Sequence, residues 1–111
     1  MKKETISTNT VWEELAGYSR AVRIGNHIHV SGTTATDANG DVVGVDDPAA
    51  QTHYIIEKIE SAIQQLGGTI EDVYRTRIYV SDKQLWEPIA RAHGERFGHI
   101  RPANTLSLIH I

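Results

Sequence analysis

The chain has 111 residues, of which 40% are hydrophobic and 23% charged, and a formal net charge of −3; this is the composition of one soluble globular domain. A domain of this length buries roughly 60–70% of the surface its unfolded chain exposes, so its core is modest and association would add stability. The absence of cysteine excludes disulfides, thiolate metal sites and a cysteine nucleophile. The weak acidic balance gives no electrostatic footprint for nucleic acid, and no stretch reaches the ~20 apolar residues of a membrane helix. Met1 to Leu15 contains no apolar leader segment, so the expected location is cytoplasmic. Lys2-Lys3 is an isolated basic pair at a terminus expected to be mobile.

Tyr18 to Thr36 reads as a β-hairpin. Ala21-Val22-Arg23-Ile24 is a short strand, Gly25-Asn26 a turn, and His27-Ile28-His29-Val30-Ser31 alternates with period two. Asp37 to Gly44 holds a second tight turn followed by Val42-Val43. Asp46-Asp47-Pro48 starts a helix, since Asp caps and proline suits the first helical position. Ile55, Ile59, Ala62, Ile63 and Leu66 recur at helical spacing, which predicts a helix over 49–66 ended by Gly67-Gly68. Val73 to Val80 predicts a strand with Tyr74, Thr76, Ile78 and Val80 on one face and Val73, Arg75, Arg77 and Tyr79 on the other. Asp82 caps a second helix over 83–97, with a kink expected at Pro88. Thr105 to Ile111 is again strand-like. The order β-β-α-β-α-β predicts an α+β fold, with two helices on one face of a small mixed sheet in a two-layer packing. The other sheet face then needs a cover, and another subunit is the obvious one.

Several segments together resemble the RidA/YjgF family. They are Tyr18-Ser19-Arg20-Ala21-Val22, Val30-Ser31-Gly32-Thr33-Thr34-Ala35, Gln51-Thr52 with the isoleucine-rich helix, and Gly67-Gly68-Thr69-Ile70-Glu71-Asp72-Val73. Thr76-Arg77-Ile78-Tyr79-Val80-Ser81-Asp82 and Arg101-Pro102-Ala103-Asn104-Thr105 complete the set. The resemblance implies a chorismate-mutase-like fold, a homotrimer whose sheets line a central barrel, and small-molecule clefts between subunits. It implies no metal and no organic cofactor. It further implies hydrolysis of reactive imines and enamines, with an arginine after the Pro-Ala pair gripping the substrate carboxylate through two parallel donors. Here that position is Asn104, which is neutral. Ala90 stands where imine-hydrolysing members often have an asparagine. The family continues with a glutamate-bearing strand that Ser107-Leu108-Ile109-His110-Ile111 does not resemble, so the C-terminal part of this single domain, 1–111, is read as truncated or altered.

The candidate catalytic residues are Tyr18, Ser31 and Asn104; the candidate substrate-binding residues are Gly32, Ala103, Arg77 and His93. Each has a structural reading beside the functional one. Ser31-Gly32 either lines the cleft or permits a bend. Tyr18 either reaches into the cleft or half-buries at an interface. Arg75 and Arg77 either bind an anionic ligand or pair with a neighbour's carboxylates, since a buried arginine needs a partner. His93 is either a half-buried helix histidine or a general base. His27 and His29 share a strand face, but a metal would need a third ligand that the sequence does not supply. Two functions stay open: hydrolysis of a small imine, enamine or related metabolite at the cleft, and a non-catalytic trimer that binds metabolites or a protein partner. Nucleic acid and membrane are not expected partners, because basic grooves and serial stacking aromatics are missing.

Overall fold

The computed structural model describes residues 1–109. A three-stranded antiparallel sheet is built from β1 (Lys3–Ile6), β2 (Ala21–Ile24) and β3 (His27–Val30), in the order β1-β2-β3. A two-stranded parallel sheet is built from β4 (Arg75–Val80) and β5 (Ala103–Leu108). Three helices join them: α1 (Val11–Ala16), α2 (Pro48–Gln65) and α3 (Trp86–Phe97). The two long helices pack against each other, and α2 also lies on β3. The α+β class and the helical layer are as the sequence implied. The sheet is divided into two parts, and β3 and β4 each have one edge without a strand partner among the described residues.

Two elements were not anticipated. The N-terminus is a strand rather than a mobile end: Lys3 pairs with Ile24 and Ile6 with Ala21. Lys3-Glu4-Thr5-Ile6 has no apolar alternation, so its pairing comes from the free edge of β2. The short α1 opens on a capping box, in which the Thr10 hydroxyl accepts from the Glu13 N–H and the Glu13 carboxylate accepts from the Thr10 N–H. That Thr-x-x-Glu spacing is a legible signal for this helix.

The remaining elements follow their local chemistry. Asp47 caps α2 by accepting from the Ala50 N–H at 3.0 Å, with Pro48 at its first position. Gly67 leaves the helix with φ +91°, a conformation that costs a side-chain-bearing residue. Asp82 caps a 3-10 turn over Lys83–Leu85 that leads into α3. Pro88 is therefore the third residue of α3, where the missing N–H has no intrahelical acceptor, and no kink is needed there. β5 begins at Ala103, two residues earlier than expected; residues 110 and 111 lie outside the described part. Ala21, Ala62 and Leu66 form the core cluster, flanked by partly buried Ile6, Ile28 and Val30. In this cluster Ala62 and Leu66 of α2 pack with Ala21 of β2.

Candidate functional site

Most of the sequence-derived residues fall into two groups, one at the end of β3 and one at the start of β4 and β5. The first group surrounds the end of β3. Arg20, almost fully buried, donates from Nη1 to the Gly32 carbonyl at 2.6 Å and to Thr33 Oγ1 at 3.3 Å. Its guanidinium lies over the ring of Tyr18, 5.8 Å from the centroid, a cation–π arrangement. Ser31 is pinned twice: its N–H donates to the Arg20 carbonyl at 2.9 Å and its hydroxyl to the Ser19 carbonyl at 2.6 Å. The hydroxyl proton of Ser31 is thus committed to the backbone.

Gly32 is exposed, its backbone lies outside the positive-φ region, and a Cβ built on it would meet no atom within 4 Å. Among the described residues neither crowding nor a positive φ requires glycine there.

Behind this group stands the side chain of Glu13, 3% exposed and 3.7 Å from Arg20 Nη2. Burial pushes its carboxyl upward, but hydrogen bonds from the Thr8 and Thr10 hydroxyls, the Thr8 N–H and the Ser7 hydroxyl outweigh burial and hold it at about 2. Glu13 is ionised at neutral pH and neutralises Arg20. Neither Glu13 nor Arg20 stands out as a site residue in the sequence, although Arg20 lies inside the matched Tyr18–Val22 segment.

The second group lies at the start of β4 and β5, which run parallel with Thr76 opposite Asn104. Asn104 Nδ2 donates to Thr76 Oγ1 at 2.9 Å, and Thr76 Oγ1 stands 3.0 Å from His93 Nε2 on α3. The His93 ring packs on Phe97, with centroids 4.7 Å apart. Burial pushes the His93 pKa below its ordinary value, so the ring is neutral at pH 7, and Nε2 accepts when the ring proton sits on Nδ1. Alternation along β4 puts Thr76 on this face without marking it as a site residue; it is the residue that links the other two.

The remaining candidates stand apart from this chain of bonds. Ala103 is exposed in β5 and its N–H donates to the Tyr74 carbonyl at 3.0 Å. Arg77 alternates with Thr76 and Ile78 and occupies the opposite, exposed face of β4 with Arg75 and Tyr79. Arg75 donates to Thr105. His27 and His29 are exposed, with ring centroids 6.5 Å apart. Among the described residues no three His, Asp or Glu side chains gather as a metal site would require, and no helix is long and apolar enough to cross a membrane.

No hydrogen bond joins the two groups within the described chain. Among the described residues one shallow concavity is lined by Met1, Lys2, Glu4, Arg23 and Gly25, and another by Thr8, Tyr54, Glu57, Lys58, Ser61, Ala62 and Gln65. Neither includes a candidate residue.

Over residues 8–109 the chain matches the sequence family described as Endoribonuclease L-PSP. It is 36% identical over 103 residues to the 3-aminoacrylate deaminase RutC of Acinetobacter baylyi, across 93% of this chain and 82% of RutC. Among solved structures, a member of the YjgF/YER057c/UK114 family from Mycobacterium tuberculosis is 39% identical, with a TM-score of 0.88 over 99% of this chain and 86% of that one. RidA from an Antarctic Psychrobacter, at 21% identity and a TM-score of 0.81 over 96% of this chain and 85% of that one, shares the fold.

Proposed function

The chain belongs to the Endoribonuclease L-PSP family, known also as RidA/YjgF, and from that membership we propose that it hydrolyses a small reactive imine or enamine in a cleft completed by neighbouring copies of itself. The observation that carries this reading is the Asn104–Thr76–His93 chain of hydrogen bonds beside the Pro102-Ala103 turn. It is an oriented polar device opening on an exposed strand start, and it is not needed to satisfy a buried group. The relative named as a 3-aminoacrylate deaminase supports the reaction class.

In this reaction the water oxygen bonds to the imine carbon and the carbon–nitrogen bond breaks. The nitrogen leaves as ammonia, having taken up both water protons. Tyr18, Ser31 and Gly32 would come from one copy and Asn104, Ala103 and His93 from another. Arg77, on the outer face of β4, would meet an anionic ligand or a neighbour's carboxylate instead. A homotrimer of three 12.3 kDa chains is the assembly proposed. Its support is apolar surface left open on the β4–β5 unit: Tyr74 and Tyr79 are 73% and 62% exposed, and Leu106, Leu108 and Ile109 are also exposed. The cleft requires no metal or organic cofactor, and the proposed location is the cytoplasm.

A second reading, binding without turnover, has its own support. The Ser31 hydroxyl is spent on the Ser19 carbonyl and His93 Nε2 is met by Thr76, so neither is free to take a proton from water. The deciding experiment generates 3-aminoacrylate and 2-iminobutanoate in situ and follows their loss and ammonia release. Light scattering on the same sample gives the assembly. Accelerated loss by a trimer supports hydrolysis. Saturable binding with the uncatalysed rate supports the second reading, and a monomer at micromolar concentration that does neither overturns both.

A further inference from the structure

Asn104 stands where an arginine would offer only donors, yet its amide is not free to present its donors at will. One Nδ2 proton is committed to Thr76 Oγ1 at 2.9 Å. A threonine hydroxyl has a single proton. Because its oxygen accepts from Asn104, that proton is available for His93 Nε2, 3.0 Å away. This requires the His93 ring to be neutral with its own proton on Nδ1. The ring's setting meets the first half of that requirement, since burial against Phe97 disfavours the charged form; the Nδ1 tautomer is what the proposed arrangement adds. The charged side chains of the packed elements do not compete. Glu95 pairs with His53, Arg96 with Glu57 and Glu60, and Arg91 with Glu87, while Arg75 and Arg77 lie on the other face of β4.

The consequence is a fixed direction for the amide plane. Asn104 Oδ1 accepts no hydrogen bond among the described residues, and it is turned away from the Nδ2 that Thr76 holds. The exposed end of Asn104 therefore offers an acceptor oxygen with, at most, one remaining N–H. A carboxylate laid against it would set one of its oxygens against Oδ1, two acceptors facing each other. A group bearing N–H would meet Oδ1 as its partner. A site whose polar group must be matched discriminates strongly, because the mismatched ligand leaves it unsatisfied.

We propose that Thr76 and His93 are specificity-determining positioning residues, which hold the Asn104 amide with Oδ1 outward so that the site selects ligands presenting an N–H, such as an imine, enamine or primary amide, over ligands presenting a carboxylate. The inference deepens the proposed function and rests on the cleft lying at Asn104. It names the substrate class as an imine or enamine recognised through its nitrogen. The same orientation would favour the protonated, more electrophilic iminium, whose positive N–H is a stronger donor.

The test uses the full chain and two stable probes of similar shape, 2-oxobutanamide and 2-oxobutanoate, whose dissociation constants are measured for wild type, Thr76→Val and Thr76→Ser. Valine keeps the branched shape suited to a strand but has no hydroxyl; serine restores it. Wild type and Thr76→Ser should bind the amide about tenfold more tightly than the carboxylate, and Thr76→Val should bring the ratio close to one. In parallel, nitrogen-15 spectra of the histidine rings should show the His93 proton on Nδ1 in wild type, with Nε2 losing its hydrogen-bond shift in Thr76→Val. A proton on Nε2, a wild-type preference for the carboxylate, or a preference that survives Thr76→Val overturns the proposal. The ring signature and the binding ratio do not depend on turnover. If both appear without hydrolysis, the assignment of the amide stands and the catalytic reading fails; if imines are hydrolysed without them, the reverse holds.

Discussion

Glu13→Gln tests the buried node that braces the Ser31–Thr33 loop. Each carboxylate oxygen of Glu13 accepts from a backbone N–H, Oε1 from Thr8 at 3.1 Å and Oε2 from Thr10 at 3.3 Å. A glutamine has one oxygen and one NH2, so either amide orientation points N–H at a backbone N–H that cannot turn away. Arg20 would also lose its counter-charge while 5% exposed. Two independent estimates of the cost agree. A carboxyl held at about 2 rather than 4.5, at about 1.4 kcal/mol per unit, is about 3 kcal/mol of preference for the ionised form in the folded chain. Leaving one partner of a buried ion pair uncompensated costs about 3–5 kcal/mol. Because the folded value lies below the unfolded one, this stability is fully present above pH 4.5 and is lost as pH falls from 4.5 towards 2. Urea unfolding of wild type and Glu13→Gln at pH 7, 5, 4 and 3 is the assay. The variant should be weaker by about 3 kcal/mol at pH 7, and the difference should shrink steadily below pH 4.5. A difference under about 1 kcal/mol at pH 7, or one that does not change with pH, would refute the reasoning.

Gly94 sits within α3 with nothing within 4 Å of its missing Cβ and no positive φ, so Gly94→Ala should raise stability by about 1 kcal/mol in thermal unfolding; a loss would mean that this helix face is packed against something. His93, with its pKa lowered by burial, favours the folded state in its neutral form, so stability should fall as pH drops below 6.5 and level off once the ring is protonated in both states. That slope should be absent from a His93→Gln variant measured by urea unfolding. Asn104→Arg should raise hydrolysis of 2-iminobutanoate about 100-fold, since a charged hydrogen bond contributes about 1.5–3 kcal/mol to carboxylate binding in the transition state. An unchanged rate in a stopped assay of ammonia release would place carboxylate binding elsewhere.

The long elements were legible because their signals are local. The Asp47-Pro48 start, the isoleucine spacing and the Gly67 exit specify α2 within a residue or two, and alternation assigned every face of β4 correctly. What escaped depends on pairing or on partners distant in sequence. β1 exists because β2 offers an edge, and its own residues carry little strand preference. The division of the sheet could not be read either, since strand order is a property of the assembled chain. At the candidate site the sequence yielded Tyr18, Ser31, Gly32, His93 and Asn104 but not what orients them. Thr76 looked like one more strand threonine; only the register that sets it opposite Asn104, beneath His93, gives its hydroxyl a task. Arg20 and Glu13 are seven residues apart in sequence, and nothing in that spacing announces a buried ion pair.

The two halves of the candidate site differ in how they are held. The Ser31–Thr33 loop is braced from within by Arg20, Glu13 and three hydroxyl side chains, so its backbone is fixed before any ligand arrives. The Asn104 half is a short chain of neutral hydrogen bonds on a two-stranded unit with exposed apolar side chains. Two-stranded units are marginal on their own, so this half gains most from a covering partner. Ordering then follows from the energetics. In the proposed trimer the braced loop would provide a rigid wall and association would cover the β4–β5 surface, while the amide of Asn104 is already held within the single chain by Thr76. Preorganisation of that kind lowers the ordering cost of binding at the step where the ligand enters. In the proposed assembly Gly32, with open space above it in the single chain, would keep that wall flat for what comes from the other side.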